Sequence, residues 1–467
     1  MGNETGRGNN AVVNGFSWTN VTLTPPTDKY DGKENAMDYT VTEHDRNALR
    51  ELAKQYAEIA ANDVMATRKR QWKALHDLKP EKPMIIFEPY WLDGYLSDYS
   101  IKCTNPILRN VETRLMFAIR QFHQMGDDVV LEPYFRVAWW NGSSLTVTGK
   151  EFGEIKIVER TAEEGIAYLS NFPIKTPDDV KKLRHRTFTV DKKANLKMVS
   201  VLQDIFGDIL PVKIGNFDNF DFDFGNQPFT GNNFIGITWD VFKLIGTDNM
   251  MFWMYDHPDA IHEVCRFLVD EKKAFFNFLL QENLLDFNTD NQFAGPSCYG
   301  YVSDLPECGT KKEVTLKDLW CWSESQECQS ISPAQFEEFF LPYMAEIANQ
   351  FGLVYYGCCE TVTNRLDRVL KHIPAIRIVS VSGWSNQAKA GEILGNRFVF
   401  SRKPVPAYVS LETPDWDLVE KDAQSTYEAV AANQCCLEII CRDVYSKQCT
   451  PERAVKWINV WKHKFGL

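Results

Sequence analysis

The sequence predicts an α/β protein built on a (β/α)8 TIM barrel, preceded by an amino-terminal helical extension. Three observations carry this. From about residue 83 onward, strand-like apolar runs alternate with amphipathic helical stretches. The runs are nearly continuous in apolar residues, which suits strands of a parallel sheet covered on both faces. About eight such units fit a closed barrel better than an open doubly wound sheet. No G-x-G-x-x-G follows a strand, which counts against a dinucleotide fold.

Residues 1–80 read as an amino-terminal arm and long helix, and residues 81–467 as the barrel domain. The arm contains PPTD and several Gly and Asn. The helix opens at Thr42, with Glu43 and Asp45 in its first turn, and runs until Pro80 and Pro83. PMIIFEP (83–89) is the first strand, 110–125 a helix, and DDVVLEP (127–133) the second strand. Segments 151–158 and 167–172 form a β excursion. Pro177 begins a short helix PDDVKKLRH, and ILPVKIGN (209–216) is a strand. Helices over 236–246 and 257–283 precede the strands LLDFN (284–288) and LKDLWCW (316–322). SPAQFEEFFLPYMAEIANQFG is one amphipathic helix, with Ser332 as N-cap and Gly352 as C-cap. LVYYG, AIRIVSVS, NRFVFS and CLEIIC are the last four strands, alternating with helices at 361–371, 385–395, 416–432 and 451–464.

The chain has 467 residues, 44% hydrophobic and 24% charged, with 63 acids against 51 bases and a net charge of −12. A surface of that sign argues against nucleic acid as a partner. No run of 18 uncharged apolar residues is present, so no membrane span is expected. The start, MGNETGRGNNAVVNG, lacks the apolar core of a signal peptide, and a cytoplasmic protein is expected. Aromatics reach 13%, enough for a large core and for the walls of a pocket.

There are twelve cysteines, which in a long chain of this kind point to buried thiols, metal or redox chemistry rather than a disulfide framework. No pair of CxxC motifs supports a structural zinc ribbon. The stretch LVYYGCCE stands out: Cys358, Cys359 and Glu360 follow a predicted strand directly. Cys441 closes the strand CLEIIC, and Glu324 follows LKDLWCW. In a barrel all three places fall at the carboxy-terminal ends of strands, where active sites lie. Thiolates and a carboxylate from separate strand ends, with one position open, describe a catalytic zinc site. Packing is the competing reading, since free cysteine is among the most buried residues.

SPAQFEEFFLPY (332–343), GTDNMMFWMYDHPDAIHEV (246–264) and CTPERAVKW (449–457) resemble the uroporphyrinogen decarboxylase superfamily. The resemblance spans residues 110–465 in segments. It implies a (β/α)8 barrel and either decarboxylation or corrinoid-linked methyl transfer. The decarboxylases are similar to one another in an arginine-rich R-Q-A-G-R loop near the first strand. Here no arginine lies between Arg70 and Arg109, and a polycarboxylate would meet Glu88 and Asp93. The methyltransferases carry H-x-C after one strand and a second Cys after a later one. Laid on this chain, that motif puts Cys358 on the first cysteine and Cys441 near the second, while Tyr356 stands at the histidine position. The resemblance therefore implies zinc held by Cys358, Cys441 and Glu324, with Cys359 and Glu360 as alternates.

The function so implied is zinc-dependent transfer of a methyl group between a small methylated substrate, such as a methoxylated aromatic, and cobalt of a corrinoid (cobalamin) carried on a partner protein. The D-x-H-x-x-G pattern of such carriers is missing from this chain. Glu324 is a candidate ligand or general acid. Trp139, Asn216 and Trp384 are candidate substrate-binding residues, and a homodimer is allowed. Two rivals remain: a decarboxylase or lyase using Arg136 or Arg402, and a barrel that binds a corrinoid or tetrapyrrole without chemistry.

Overall fold

The computed structural model describes residues 39–88, 95–96, 98–139, 141–147, 159–160, 168–169, 172–190, 192–215, 234–307, 313–444 and 449–467. Its centre is a six-stranded, all-parallel sheet. The strands are β1 (Met84–Phe87), β2 (Trp320–Ser323), β3 (Leu353–Tyr356), β4 (Ile376–Val381), β5 (Val399–Arg402) and β6 (Cys436–Cys441). Their order is β1-β6-β5-β4-β3-β2, so the first strand pairs with the last.

Both faces of the sheet are buried, as its apolar strands require. Alternate residues divide between two cores. Ile85, Phe87, Leu437, Ile439 and Cys441 join one, with Phe336, Ile393, Val419, Trp457 and Trp461 from the carboxy-terminal helices. Met84, Ile86, Cys436 and Ile440 join the other, with the amino-terminal helices Glu43–Ala60 and Asp63–His76 and the helices Pro106–Arg120 and Lys192–Phe206.

The expected closed barrel is not formed among the described residues; the sheet stays open between β1 and β2. Side chains explain the gap. DDVVLEP lies beside β1, where Asp128 N–H donates to Ile85 O (2.8 Å). The carboxylates of Asp128 and Asp127 then take the N–H groups of Ile85 (2.8 Å) and Phe87 (3.2 Å), replacing ladder bonds. At the other edge the Asn288 amide accepts from Trp320 N (3.0 Å) and donates to Trp320 O (3.1 Å), so LLDFN holds β2 without becoming a strand. Phe135–Val137 and Val212–Ile214 form a separate parallel pair, and Phe234 bridges Trp322.

Other expectations need correction. The first helix is two, broken after Ala60, because the Asn62 side chain accepts from Val64 N and starts the second. PDDVKKLRH is helical only over Pro177–Val180 and then enters a strand, Leu183–Val190, antiparallel to Asn141–Val147. The helix over SPAQFEEFFLPYMAEIANQFG breaks at Phe340, because Pro342 has no N–H for the preceding turn. Residues 151–158 lie outside those described.

Candidate functional site at the carboxy-terminal edge of the sheet

The parallel strands deliver several loops to one edge. Glu88 follows β1, Glu324 and Ser325 follow β2, Cys358–Glu360 follow β3, Lys403 follows β5, and Arg442 and Asp443 follow β6. Gly357, at φ +98, makes the turn that leaves β3, where a Cβ would stand 3.0 Å from Ser380 Cβ. Left-handed backbone of that kind favours glycine.

Glu360 clasps two of these loops. Its Oε1 accepts from Ser325 N at 2.9 Å and its Oε2 from Cys358 N at 2.8 Å. Both oxygens are therefore committed to backbone donors, and the carboxylate acts as a tie. Tyr356, at the place of the resembling family's histidine, shares a hydrogen bond of 2.8 Å with Ser325 Oγ.

Glu324 is 3% exposed. Its Oε2 accepts from Gln326 N at 2.7 Å, while its Oε1 has no hydrogen-bond partner. Burial, then the neighbouring Glu327 and Glu360 carboxylates, push its pKa well above the carboxylate range. Glu327 accepts from Thr238 Oγ1 at 2.8 Å. It is pushed up to about 7, chiefly by burial and then by Glu360 and Asp240, while its hydrogen bonds pull the other way. A carboxyl so placed is kept neutral and can give a proton.

Cys358 and Cys359 are half-buried, with their Sγ atoms 3.6 Å apart, and Cys359 Sγ lies 3.7 Å from Asp443 Oδ2. The Cys359 thiol, and then burial, push the Cys358 thiol well above its ordinary value, against the pull of Arg442. Arg442 Nε stands 3.3 Å from Asp443 Oδ2 and 3.7 Å from Glu88 Oε2, and Ser297 donates to the other Glu88 oxygen.

The expected ligands are not gathered. Cys441 is fully buried in the core beneath the carboxy-terminal helices, with Trp457 and Trp461 in the same cluster. The period-two alternation of β6 turns it away, and the residues past the strand end, Arg442 and Asp443, reach the edge instead. Cys358, Cys441 and Glu324 form no group of donor atoms close enough to share one ion. Among the described residues one such group exists, His76, Cys298 and Glu438, all buried, with donor atoms within 4.8 Å of one another.

No short motif joins that group. The one local signal was an acid, Glu438, inside the otherwise apolar CLEIIC. Of the remaining candidates, Trp139 packs half-buried against the core and Trp384 is 71% exposed. Asn216 lies outside the described residues. Arg136 is engaged by Asp286 and Asp290, and Arg402 by Asp422 and the carbonyls of Val381 and Ser382. Both cations are already neutralised, which disfavours them as anchors for an acidic substrate.

No protein-family model matches the chain, and no curated protein matches it. Among solved structures, sixteen chains match. One is a methyltransferase from Methanosarcina mazei, superposed with a TM-score of 0.45 at 12% identity, over 85% of this chain and 98% of that one.

Proposed function

We propose that the protein is a methyltransferase that takes a methyl group from a small methylated substrate, such as a methoxylated aromatic, and passes it to a corrinoid on a partner protein. The observation that supports this is Glu324: a buried carboxyl at the end of β2, kept protonated by its surroundings, with one oxygen free of hydrogen bonds. An alkoxide or phenoxide is a poor leaving group. Glu324 supplies the proton that neutralises the departing oxygen as the C–O bond breaks, with the bond pair staying on oxygen and the methyl carbon passing to cobalt(I), the co-substrate. Burial, reinforced by the neighbouring Glu327, keeps Glu324 neutral, and Glu360 fixes the loop that carries it. The zinc implied by the resemblance finds no ligand set at this edge among the described residues, and no step is assigned to a metal here.

The test is methyl-corrinoid formation, followed by visible absorption under anaerobic conditions with free cob(I)alamin and a panel of methyl ethers. Glu324→Gln should lower kcat by about 10²–10⁴-fold, the usual worth of a general acid. The wild-type rate should fall as pH rises through the elevated pKa of Glu324. Methylation by the wild type with an unaltered rate in Glu324→Gln would remove Glu324 from this role. No methylation from any donor would overturn the reading as a whole.

A further inference from the structure

We propose that His76, Cys298 and Glu438 bind a zinc ion on the face of the sheet turned to the amino-terminal helices. The three residues come from the end of the helix Asp63–His76, from a short hairpin around Cys298 and from the middle of β6. All three are fully buried.

Proton placement makes the case. His76 Nδ1 is 2.8 Å from Tyr301 O. A carbonyl only accepts, so Nδ1 carries the hydrogen and the Nε2 lone pair is the one left to face the group. Nε2 lies 3.4 Å from Glu438 Oε2 and 3.7 Å from Cys298 Sγ, and Sγ lies 3.3 Å from the same carboxylate oxygen. Three lone-pair donors thus converge on one point, with at most a thiol proton among them. Glu438 Oε1 has no hydrogen-bond partner either. Lys403, the nearby cation, gives its hydrogen bond to Ser401 Oγ (2.8 Å).

The separations fit zinc. With Zn–N of about 2.0–2.1 Å, Zn–O of about 2.0–2.2 Å and Zn–S of about 2.3 Å, they subtend angles of roughly 95–115° at one ion. That is close to tetrahedral, and the N, S, O donor set suits a borderline-soft cation rather than calcium or magnesium. Three protein ligands leave a fourth position for water or a small ligand. Because the ligands lie far apart in the chain and are sealed from solvent, the ion binds as the chain folds, and its binding energy stabilises the fold.

The test is zinc content of protein expressed with added zinc and purified anaerobically, with the absorption edge fine structure of the bound zinc. One equivalent is expected, with a single sulfur and the remaining ligands nitrogen or oxygen. Cys298→Ser and Glu438→Gln should lower affinity by more than about 100-fold, while Cys358→Ser and Cys441→Ser keep the metal. Should the first two variants not fold, the sulfur count on the wild type decides. No zinc in the wild type, two sulfurs at the metal, or zinc retained by folded Cys298→Ser would each overturn the proposal. None of these outcomes bears on Glu324, whose readout is corrinoid methylation.

Discussion

Replacing Glu327 by glutamine isolates the electrostatics of the acidic cluster. Glutamine keeps an acceptor for Thr238 Oγ1 but cannot ionise. Glu327 has a native pKa of about 7 against an ordinary 4.5, so the native state holds this proton more tightly than the unfolded chain does. Below about pH 4.5 both states are protonated and its contribution to stability is fully present. As pH rises to 7 the unfolded chain ionises first, and native stability is lost at about 1.4 kcal/mol per pH unit. The loss saturates at an upper figure of about 3–4 kcal/mol, the worth of a pKa raised from 4.5 to about 7. Glu327→Gln should therefore gain stability relative to wild type by up to about 3–4 kcal/mol between pH 4 and pH 8. Urea unfolding of both proteins across that range measures it; the relief of Glu324, whose pKa Glu327 helps to raise, adds to the difference in the same direction. Curves that run parallel from pH 4 to pH 8 would refute the reasoning. So would a wild type that gains on the variant as pH rises.

Glu360→Ala should cost about 2–4 kcal/mol in the same assay, because two backbone N–H groups lose a charged acceptor. Gly357→Ala should cost about 1–3 kcal/mol through its left-handed backbone and the approach of Ser380. Cys441→Ala should destabilise by about 1 kcal/mol as a small core truncation and leave methyl transfer unchanged; a collapse of activity would return Cys441 to the site.

The parallel sheet was legible because its strands, covered on both faces, are written as short apolar runs between helical patterns. The capped helix starts at Thr42 and Ser332 were legible from polar residues whose side chains accept from the first turn. What failed was whatever depends on which way a side chain points. Cys441 sits at a strand end, as expected, but alternation gives that position to the helix layer and the edge to Arg442 and Asp443. Asp127, Asp128 and Asn288 read as ordinary residues of strands, yet their side chains substitute for the ladder and keep the barrel open. His76, Cys298 and Glu438 meet only in three dimensions, and nothing in their spacing announces it.

The pairing of β1 with β6 sets a schedule for the chain's birth. Met84 is matched with Glu438, so on the ribosome β1 waits for a partner about 350 residues downstream, some 20–70 s at ordinary elongation rates of about 5–20 residues per second. Through that interval MIIF offers a bare apolar edge to any other nascent strand. The amino-terminal helices, made just before it, share a core with its Met84 and Ile86 and can cover one side of it meanwhile. Their first service to the molecule would then be as a built-in escort during synthesis, and a chain shortened ahead of β1 would depend on chaperones for its yield.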